Sequence, residues 1–406
     1  MLNPYRELFQ AKGTAGFALA GLVARLPLPM TGIGIITLLS QLRGSYGLAG
    51  AVAATFVLTY ALMSPQVSRL VDRHGQRHVL PLAAALGVLG MLLLLACTWW
   101  QAPDWSLFIG AALAGFMPSM SAMVRARWTA LYRGKPQLQT AYSLETVLDE
   151  LTFIAGPPVS VGLCVGLWPQ AGPLAAAVLL AIGVFALVVQ TGTEPPVDAD
   201  AGASGGQGAV LRHLEVRLLT LLMVAMGVIV GSIDIVSVAF AEQVGTPAAA
   251  SLVLACYAIG SCAAGLVFGA LKLPTPPHRL LLLGALATAA TTLPLLLAGS
   301  IVGLAGAVLL AGLFFAPTLI VAMSLVERSV PAHQLTEGMT WLLAGLNIGV
   351  ALGALASGQV VDLLGATAGY QVAVAAGVAV ALVALCSYRR MGAVASAALP
   401  GACAGR

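Results

Sequence analysis

The sequence predicts an all-α membrane protein whose twelve transmembrane helices form two pseudo-symmetric six-helix halves. Three observations predict it. Of the 406 residues, 59% are hydrophobic and only 8% are charged, whereas a soluble globular domain carries roughly 25% charged residues. Apolar runs long enough to cross a hydrocarbon core of ~30 Å at about 1.5 Å per residue recur from near the N-terminus to residue 388. A polar, Gly- and Pro-rich stretch near the middle then divides those runs six and six.

The spans are expected at residues 14–39, 47–69, 78–100, 105–127, 142–167, 170–191, 214–240, 248–271, 279–299, 301–326, 335–361 and 366–388. The first is followed closely by others and shows no small-residue cleavage site, so it is expected to stay as helix 1 and not be removed as a signal peptide. Arg6 and Lys12 precede it. Arg69, Arg73 and Arg77 follow helix 2, and Arg125, Arg127, Arg133 and Lys135 follow helix 4. Arg212 and Arg217 flank the start of helix 7, Lys272 and Arg279 separate helices 8 and 9, Arg328 follows helix 10, and Arg389 and Arg390 follow helix 12. The opposite loops offer Arg43 alone. This asymmetry places both termini in the cytoplasm, and the even helix count agrees with it. A multi-pass protein of the cytoplasmic (inner) membrane follows, surrounded by lipid. The net charge of +4 therefore reports topology, and no basic patch with interleaved aromatics points to nucleic acid. The six cysteines lie mostly within apolar helices without metal-ligand spacing, so they read as packing residues and no metal site is expected.

Residues 1–192 are expected to form the N-terminal bundle, 193–212 a flexible cytoplasmic linker, 213–390 the C-terminal bundle and 391–406 a cytoplasmic tail. The halves echo one another. Helix 4 contains "GFMPSM" and helix 10 "FFAPTL", with Pro118 and Pro317 in comparable places; helix 5 carries "GPPVSVG" and helix 11 "GLNIGVALGALASG". Gly345, Gly349, Gly353 and Ser357 recur every fourth residue, a small-residue stripe that lets another backbone approach closely. Gly156 and Ser160 give helix 5 a shorter version. Six-helix repetition with matching Gly and Pro interruptions is a usual build of secondary transporters.

After helix 2 comes "SRLVDRHGQRHVL", residues 68–80. Here the chain resembles the major facilitator superfamily, whose signature between helices 2 and 3 is matched by Asp72, Arg73, Gly75 and Arg77; Ser68 stands where the signature has Gly, and Gln76 where it has a basic residue. Gly75 permits the tight turn of a short loop. Asp72 can cap a helix end, or meet Arg125 and Arg127 at the cytoplasmic end of helix 4. The resemblance implies a major-facilitator-type fold and assigns this loop to the control of conformational exchange. The corresponding loop of the second half, "LKLPTPPHRLL", lacks the pattern. Gly156 and Pro157 resemble a helix 5 Gly-Pro motif of antiporters in the superfamily, without its upstream glycines, and Pro157 with Pro158 should loosen helix 5. The Arg-bearing helix 4 motif of many proton-coupled members is not evident in "AGFMPSMSAM".

Carboxylates within helix 5 need a reason, because an ionised one costs several kcal/mol at the bilayer centre. Glu145 is expected in the first turn, at the interface. Asp149 and Glu150 lie deeper. In helix 1, "LVARLPLPM" puts Arg25 near the middle of the membrane, ahead of Pro27 and Pro29, which should break regular helix. An ion pair between Arg25 and either Asp149 or Glu150 is expected, with the surplus acid carrying a proton: Asp149 is the expected constant partner and Glu150 the expected proton carrier, although sequence alone does not distinguish them; a purely structural pair is the competing reading. Asp234 in helix 7 is the candidate of the second half, facing either substrate or solvent. Glu327 and Glu337 read as cytoplasmic surface charges. The function expected is proton-coupled export of a small amphipathic molecule by alternating access, driven by an ion gradient without a cofactor, as a monomer. The alternatives are a proton-coupled importer of an organic anion or nutrient and a non-transporting membrane sensor. No nucleophile with a base and no phosphate loop points to an enzyme.

Overall fold

A computed structural model describes residues 3–43, 46–197, 210–246, 249–271 and 273–397. These residues are helical almost throughout. A short α1 (Asn3–Leu8) precedes twelve traverses. The first is α2 (Thr14–Arg25) continued by α3 (Pro27–Arg43). Then come α4 (Tyr46–His74), α5 (Gln76–Trp99), a fourth made of α6 (Asp104–Ala114) and α7 (Met120–Tyr132), α8 (Gln137–Gly166) and α9 (Ala171–Val188). The second half repeats the order with α10 (Leu214–Gln243), α11 (Ala249–Ala270), α12 (Pro277–Thr292), a tenth made of α13 (Ile301–Gly312) and α14 (Phe315–Ser329), α15 (Leu335–Leu364) and α16 (Ala366–Ala397). Eleven traverses contain long, apolar segments able to cross a membrane, and the other is the one split into α6 and α7.

The interruptions fall where proline dictates. Arg25 ends α2, and Pro27, which has no amide hydrogen to give, opens α3 after the single residue Leu26. The fourth traverse breaks over residues 115–119, which include Pro118, and the tenth over 313–314, just before Pro317 in the first turn of α14. Internal repetition thus extends to the position of the broken helix. Pro157 and Pro158, by contrast, lie within an uninterrupted α8.

Among the boundaries that differ from expectation, three bear on the charged residues and the expected tail. Helix 4 runs on to Tyr132 and helix 5 begins at Gln137, so Arg125, Arg127 and Glu145 lie farther inside their helices than the hydropathy pattern indicates. Helix 12 continues to Ala397, which shortens the expected tail to residues outside the described part. The expected linker begins as a 3-10 turn, Thr191–Thr193, and ends as another, Val210–Arg212; residues 198–209 between them lie outside the described residues.

The chain divides into two compact units, Met1–Gln207 with Pro331–Ala344, and Gly208–Val330 with Gly345–Arg406. The start of α15 therefore groups with the first unit. In the second, α10 and α15 meet through glycine on both sides. A methyl group at Gly349 or Gly353 would run into the carbonyls of Val224 or Val228, and one at Gly227 or Gly231 into those of Leu346 or Val350. The stripe legible in helix 11 is thus one face of a two-sided small-residue seam. In the first unit Gly156 packs on Pro29, where an added Cβ would lie 2.8 Å from the ring, and Ser160 Oγ donates to the Met30 carbonyl at 2.9 Å. Helices 1 and 5 are held together just beyond the charged residues they carry.

Candidate functional site: a buried charge cluster in the first unit

Arg25 is the last residue of α2, at the proline break, and 3% of its side chain is exposed. Nε donates to the Gly21 carbonyl at 3.2 Å, Nη1 to Asp149 Oδ1 at 2.9 Å, and Nη2 to Glu145 Oε2. Glu145 and Asp149 stand four residues apart on one face of α8, so a single planar guanidinium reaches both. The two acids that share Arg25 are therefore Asp149 and Glu145. Glu150 points to another strip of the helix and is partly exposed.

Glu145 corrects the expectation of an interfacial residue, since its side chain is 0% exposed. The cause is the earlier helix start: with α8 beginning at Gln137, just after Pro136, Glu145 sits more than two turns in. Its second oxygen, Oε1, accepts from Trp128 Nε1 at 2.8 Å. Phe17 packs edge-on against Trp128 at 4.6 Å, and Tyr132 stacks on it at 5.9 Å. This carboxylate is sealed, with an arginine on one oxygen and an indole on the other.

Arg125, which hydropathy places at a cytoplasmic helix end, is fully buried instead, with Nη2 at 2.8 Å from Asp149 Oδ2 and 3.3 Å from Thr146 Oγ1. Arg125 and Asp149 form a second buried ion pair. Arg125 Nε and Nη1 have no hydrogen-bond partner among the described residues. Asp149 thus bridges two arginines and also accepts from Ser121 Oγ at 2.6 Å. Two cations and two anions, all within the first unit, leave the cluster formally neutral. Of the four, Asp149 is the most open, with 17% of its side chain exposed against 0–3% for the others. It borders a recess of about 20 Å³ with Arg25, Tyr60, Ser121, Thr152 and Phe153, room for about one water molecule.

The loop of residues 68–80 forms a second polar region. Gly75 has φ 85°, a conformation that favours glycine, and an added Cβ would lie 3.1 Å from Glu194 Oε1. Arg73 and Arg77 are exposed, and the Arg77 amide donates to Glu194 at 2.8 Å. Asp72 does not meet Arg125 or Arg127. It caps α15, accepting from the amides of Thr336 at 3.3 Å and Glu337 at 2.8 Å. The residues before α15 are Ala332, His333 and Gln334, none of them a strong N-cap, so the carboxylate that satisfies the free amides and meets the positive helix end comes from α4. Ser68 adds a hydroxyl contact to Thr340 at 2.7 Å, and Arg69 Nε lies 3.9 Å from Glu337. Glu337, expected on the surface, is buried in this contact.

Arg127 is also fully buried, where a loop position is expected. Its Nε donates to Gln76 Oε1 at 2.7 Å, Nη1 to the Gln190 carbonyl at 2.7 Å and to Thr193 Oγ1 at 2.8 Å, and Nη2 to the Leu187 carbonyl at 3.1 Å. It gathers the carbonyls at the end of α9, adding to the Gln190 amide that already donates to the Leu187 carbonyl at 3.1 Å. Gln76, the departure from the loop signature, orients Arg127 and donates to the Met123 carbonyl at 3.0 Å. Asp234 stands apart: it lies on α10 in the second unit with its side chain exposed, outside the cluster.

Sequence reasoning missed the depth of Glu145, Arg125 and Trp128. Two signals were available. Pro136 marks a helix start, and Trp128 three residues after Arg125 marks a helix face that continues past the arginine.

No curated protein sequence matches the chain significantly. Solved structures share its fold at low identity. The human organic anion transporter MFSD10 (TETRAN) is 16% identical, with a TM-score of 0.68 over 92% of this chain and 100% of that one. The E. coli fucose:proton symporter FucP is 17% identical, with a TM-score of 0.68 over 91% of this chain and 98% of that one. A bacterial homologue of the iron transporter ferroportin, in an outward-facing state, is 15% identical, with a TM-score of 0.72 over 94% and 100%. The sequence profile of the Major Facilitator Superfamily matches residues 16–235 and 218–401. With a profile match over most of its length, on a fold of twelve helices in two repeated halves, the chain belongs to the Major Facilitator Superfamily.

Proposed function

We propose that this protein is a proton-coupled secondary transporter that exports a small amphipathic molecule by alternating access, with Asp149 as the group that exchanges the proton. The observation that carries the reading is the inequality within the charge cluster. Glu145 is sealed by Arg25 and Trp128, while Asp149 bridges Arg25 and Arg125 and opens to the recess. Protonating Asp149 withdraws the counter-charge from both guanidiniums at once. The cluster then holds one net positive charge, which is costly at membrane depth and must be relieved by a substrate or by rearrangement of helices 1, 4 and 5. That is the linkage a coupled carrier needs: occupancy of one acid by a proton alters both charge and shape beside the binding region. Asp149 takes the role expected of Glu150. Apolar and weakly polar side chains around the recess, Met117, Met120, Phe153 and Tyr60, suit a ligand with an apolar body.

Asp72 belongs to the same reading as a conformational latch. Its two hydrogen bonds to the start of α15 are those that must break if the beginning of helix 11 moves away from helix 2. The fucose:proton symporter among the structural relatives supports proton coupling as a use of this fold. We place the protein in the inner membrane with both termini in the cytoplasm.

A second reading is favoured by one observation. The two buried nitrogens of Arg125 without an acceptor among the described residues, Nε and Nη1, suit a carboxylate or another anion, and an organic anion transporter shares the fold. Uptake of an organic anion would use that arginine directly.

A thermal-shift screen of purified protein against metabolites and drugs at pH 6 and pH 8, with wild type and Asp149→Asn, separates these readings. Coupling predicts a ligand that stabilises the wild type to a pH-dependent extent, with the dependence lost in the variant. Ligand binding indifferent to both pH and the substitution would make the cluster a structural brace. Hits confined to anions, lost in Arg125→Gln, would favour the second reading.

A further inference from the structure

In the second unit a crevice of about 360 Å³ opens between the end of α11, the start of α12 and the α13–α14 junction. Two features leave this volume empty. The tenth traverse breaks at Leu313 and Phe314, and Gly284 of α12 carries no side chain where an added Cβ would come within 2.6 Å of Thr318 Oγ1. The walls are Ala, Val, Leu, Phe, Pro and Gly without exception, and Val267, Leu271, Leu283 and Phe314 at its rim are exposed. A polar solute would find no partner there. In a membrane-spanning bundle, the matter available to fill an apolar crevice open at its rim is a lipid chain.

One end of the crevice is marked by charge. Arg279 lies in the first turn of α12, four residues before the lining residue Leu283 and hence on the same face. Arg328 lies seven residues after the lining residue Val321, two turns farther along the same face of α14. Both arginines are exposed, and neither forms a salt bridge among the described residues that would compete with a ligand. Between Glu242 and Glu327 the sequence contains no acidic residue; Glu327 precedes Arg328 about 100° around the helix. An apolar slot with two guanidiniums at its mouth on the side that carries the basic loops has the chemistry of an anionic phospholipid site, since basic pockets between transmembrane helices on that side hold such head groups.

We propose that the crevice between α11, α12 and α14 is a binding site for an anionic phospholipid, with one acyl chain lying along Phe268, Leu280 and Phe314 and the phosphate held by Arg279 and Arg328. Bound there, the lipid would brace the broken tenth traverse.

The test measures thermal unfolding of the purified full-length protein in mixed micelles containing either phosphatidylglycerol or phosphatidylcholine with identical acyl chains. Phosphatidylglycerol is expected to raise Tm by about 5 °C more than phosphatidylcholine. Arg279→Gln combined with Arg328→Gln should abolish that difference while leaving the phosphatidylcholine value unchanged. Ala264→Phe or, should that variant not fold, Val267→Phe fills the slot and should abolish the gain from both lipids. Equal stabilisation of wild type by the two lipids would overturn the proposal, as would a difference that persists in the double variant. Glycerol phosphate without acyl chains should not shift Tm; a full shift with it would show a site for the free anion and not for a lipid.

Discussion

Arg25 is buried and a guanidinium cannot lose its proton, so its neighbours have to supply acceptors. They do so with the Gly21 carbonyl one turn back, the Glu145 carbonyl at 3.4 Å and a pair of carboxylates on α8. Removing the arginine alone leaves Glu145 with only Trp128, buried. Loss of one partner of a buried pair costs about 3–5 kcal/mol, whereas replacing the whole pair with apolar groups is often neutral. Arg25→Met is therefore expected to lower the thermal midpoint strongly in detergent, and adding Glu145→Gln should recover much of the loss. A single variant as stable as the wild type would show that the pair does not hold helices 1 and 5 together. Asp149→Asn keeps an oxygen for Ser121 but withdraws the counter-charge of two buried arginines, so it too is expected to lower the thermal midpoint.

Between elements, contact depends on which residues are missing as much as on which are present. Gly227 and Gly231 of α10 face the carbonyls of α15, and Gly349 and Gly353 of α15 face those of α10, so an added methyl group on either helix forces the backbones apart. Overpacking of this kind typically costs about 1–3 kcal/mol. Gly349→Ala is expected to be destabilised by at least that much, while Gly358→Ala on the same helix, where nothing lies within 4 Å of the added carbon, should match the wild type or gain slightly in helix propensity. Equal midpoints for the two variants would dissolve the seam. The stripe was legible because a four-residue period survives in sequence. The helix breaks at Pro27 and Pro118 were legible for a similar reason: proline acts on its own backbone. What could not be read were consequences of distance. Asp72 finds its partners 264 and 265 residues away at the start of α15, and no local pattern announces that pairing. Hydropathy places helix 4's end and helix 5's start about five residues short, because both ends are polar yet buried. That displacement alone turns Arg125, Arg127 and Glu145 from interior residues into surface ones.

At the scale of the whole molecule, charge asymmetry and helix count jointly predict an orientation that each alone leaves open. An even number of traverses predicts both termini on one side, and the loops expected on that side hold nearly all the arginine and lysine, with Arg43 as the exception opposite. Even that exception is partly neutralised: its Nη2 donates to the Ala102 carbonyl at 2.6 Å, and Nη1 lies 3.7 Å from Asp104. Because basic residues in short loops are retained in the cytoplasm, Gly192 after the sixth traverse should face inward and Gly299 between the ninth and tenth should face outward. Both positions leave room for a side chain, with nothing within 4 Å of an added Cβ, so each can be changed to cysteine in a chain whose six natural cysteines are replaced. A membrane-impermeant maleimide added to intact cells is expected to label Gly299→Cys at once and Gly192→Cys only after permeabilisation. The reverse pattern would invert the orientation and, with it, the side on which Asp72 meets α15. Immediate labelling of both would require an even number of traverses between the two sites, and the pairing of six helices with six would fall with it.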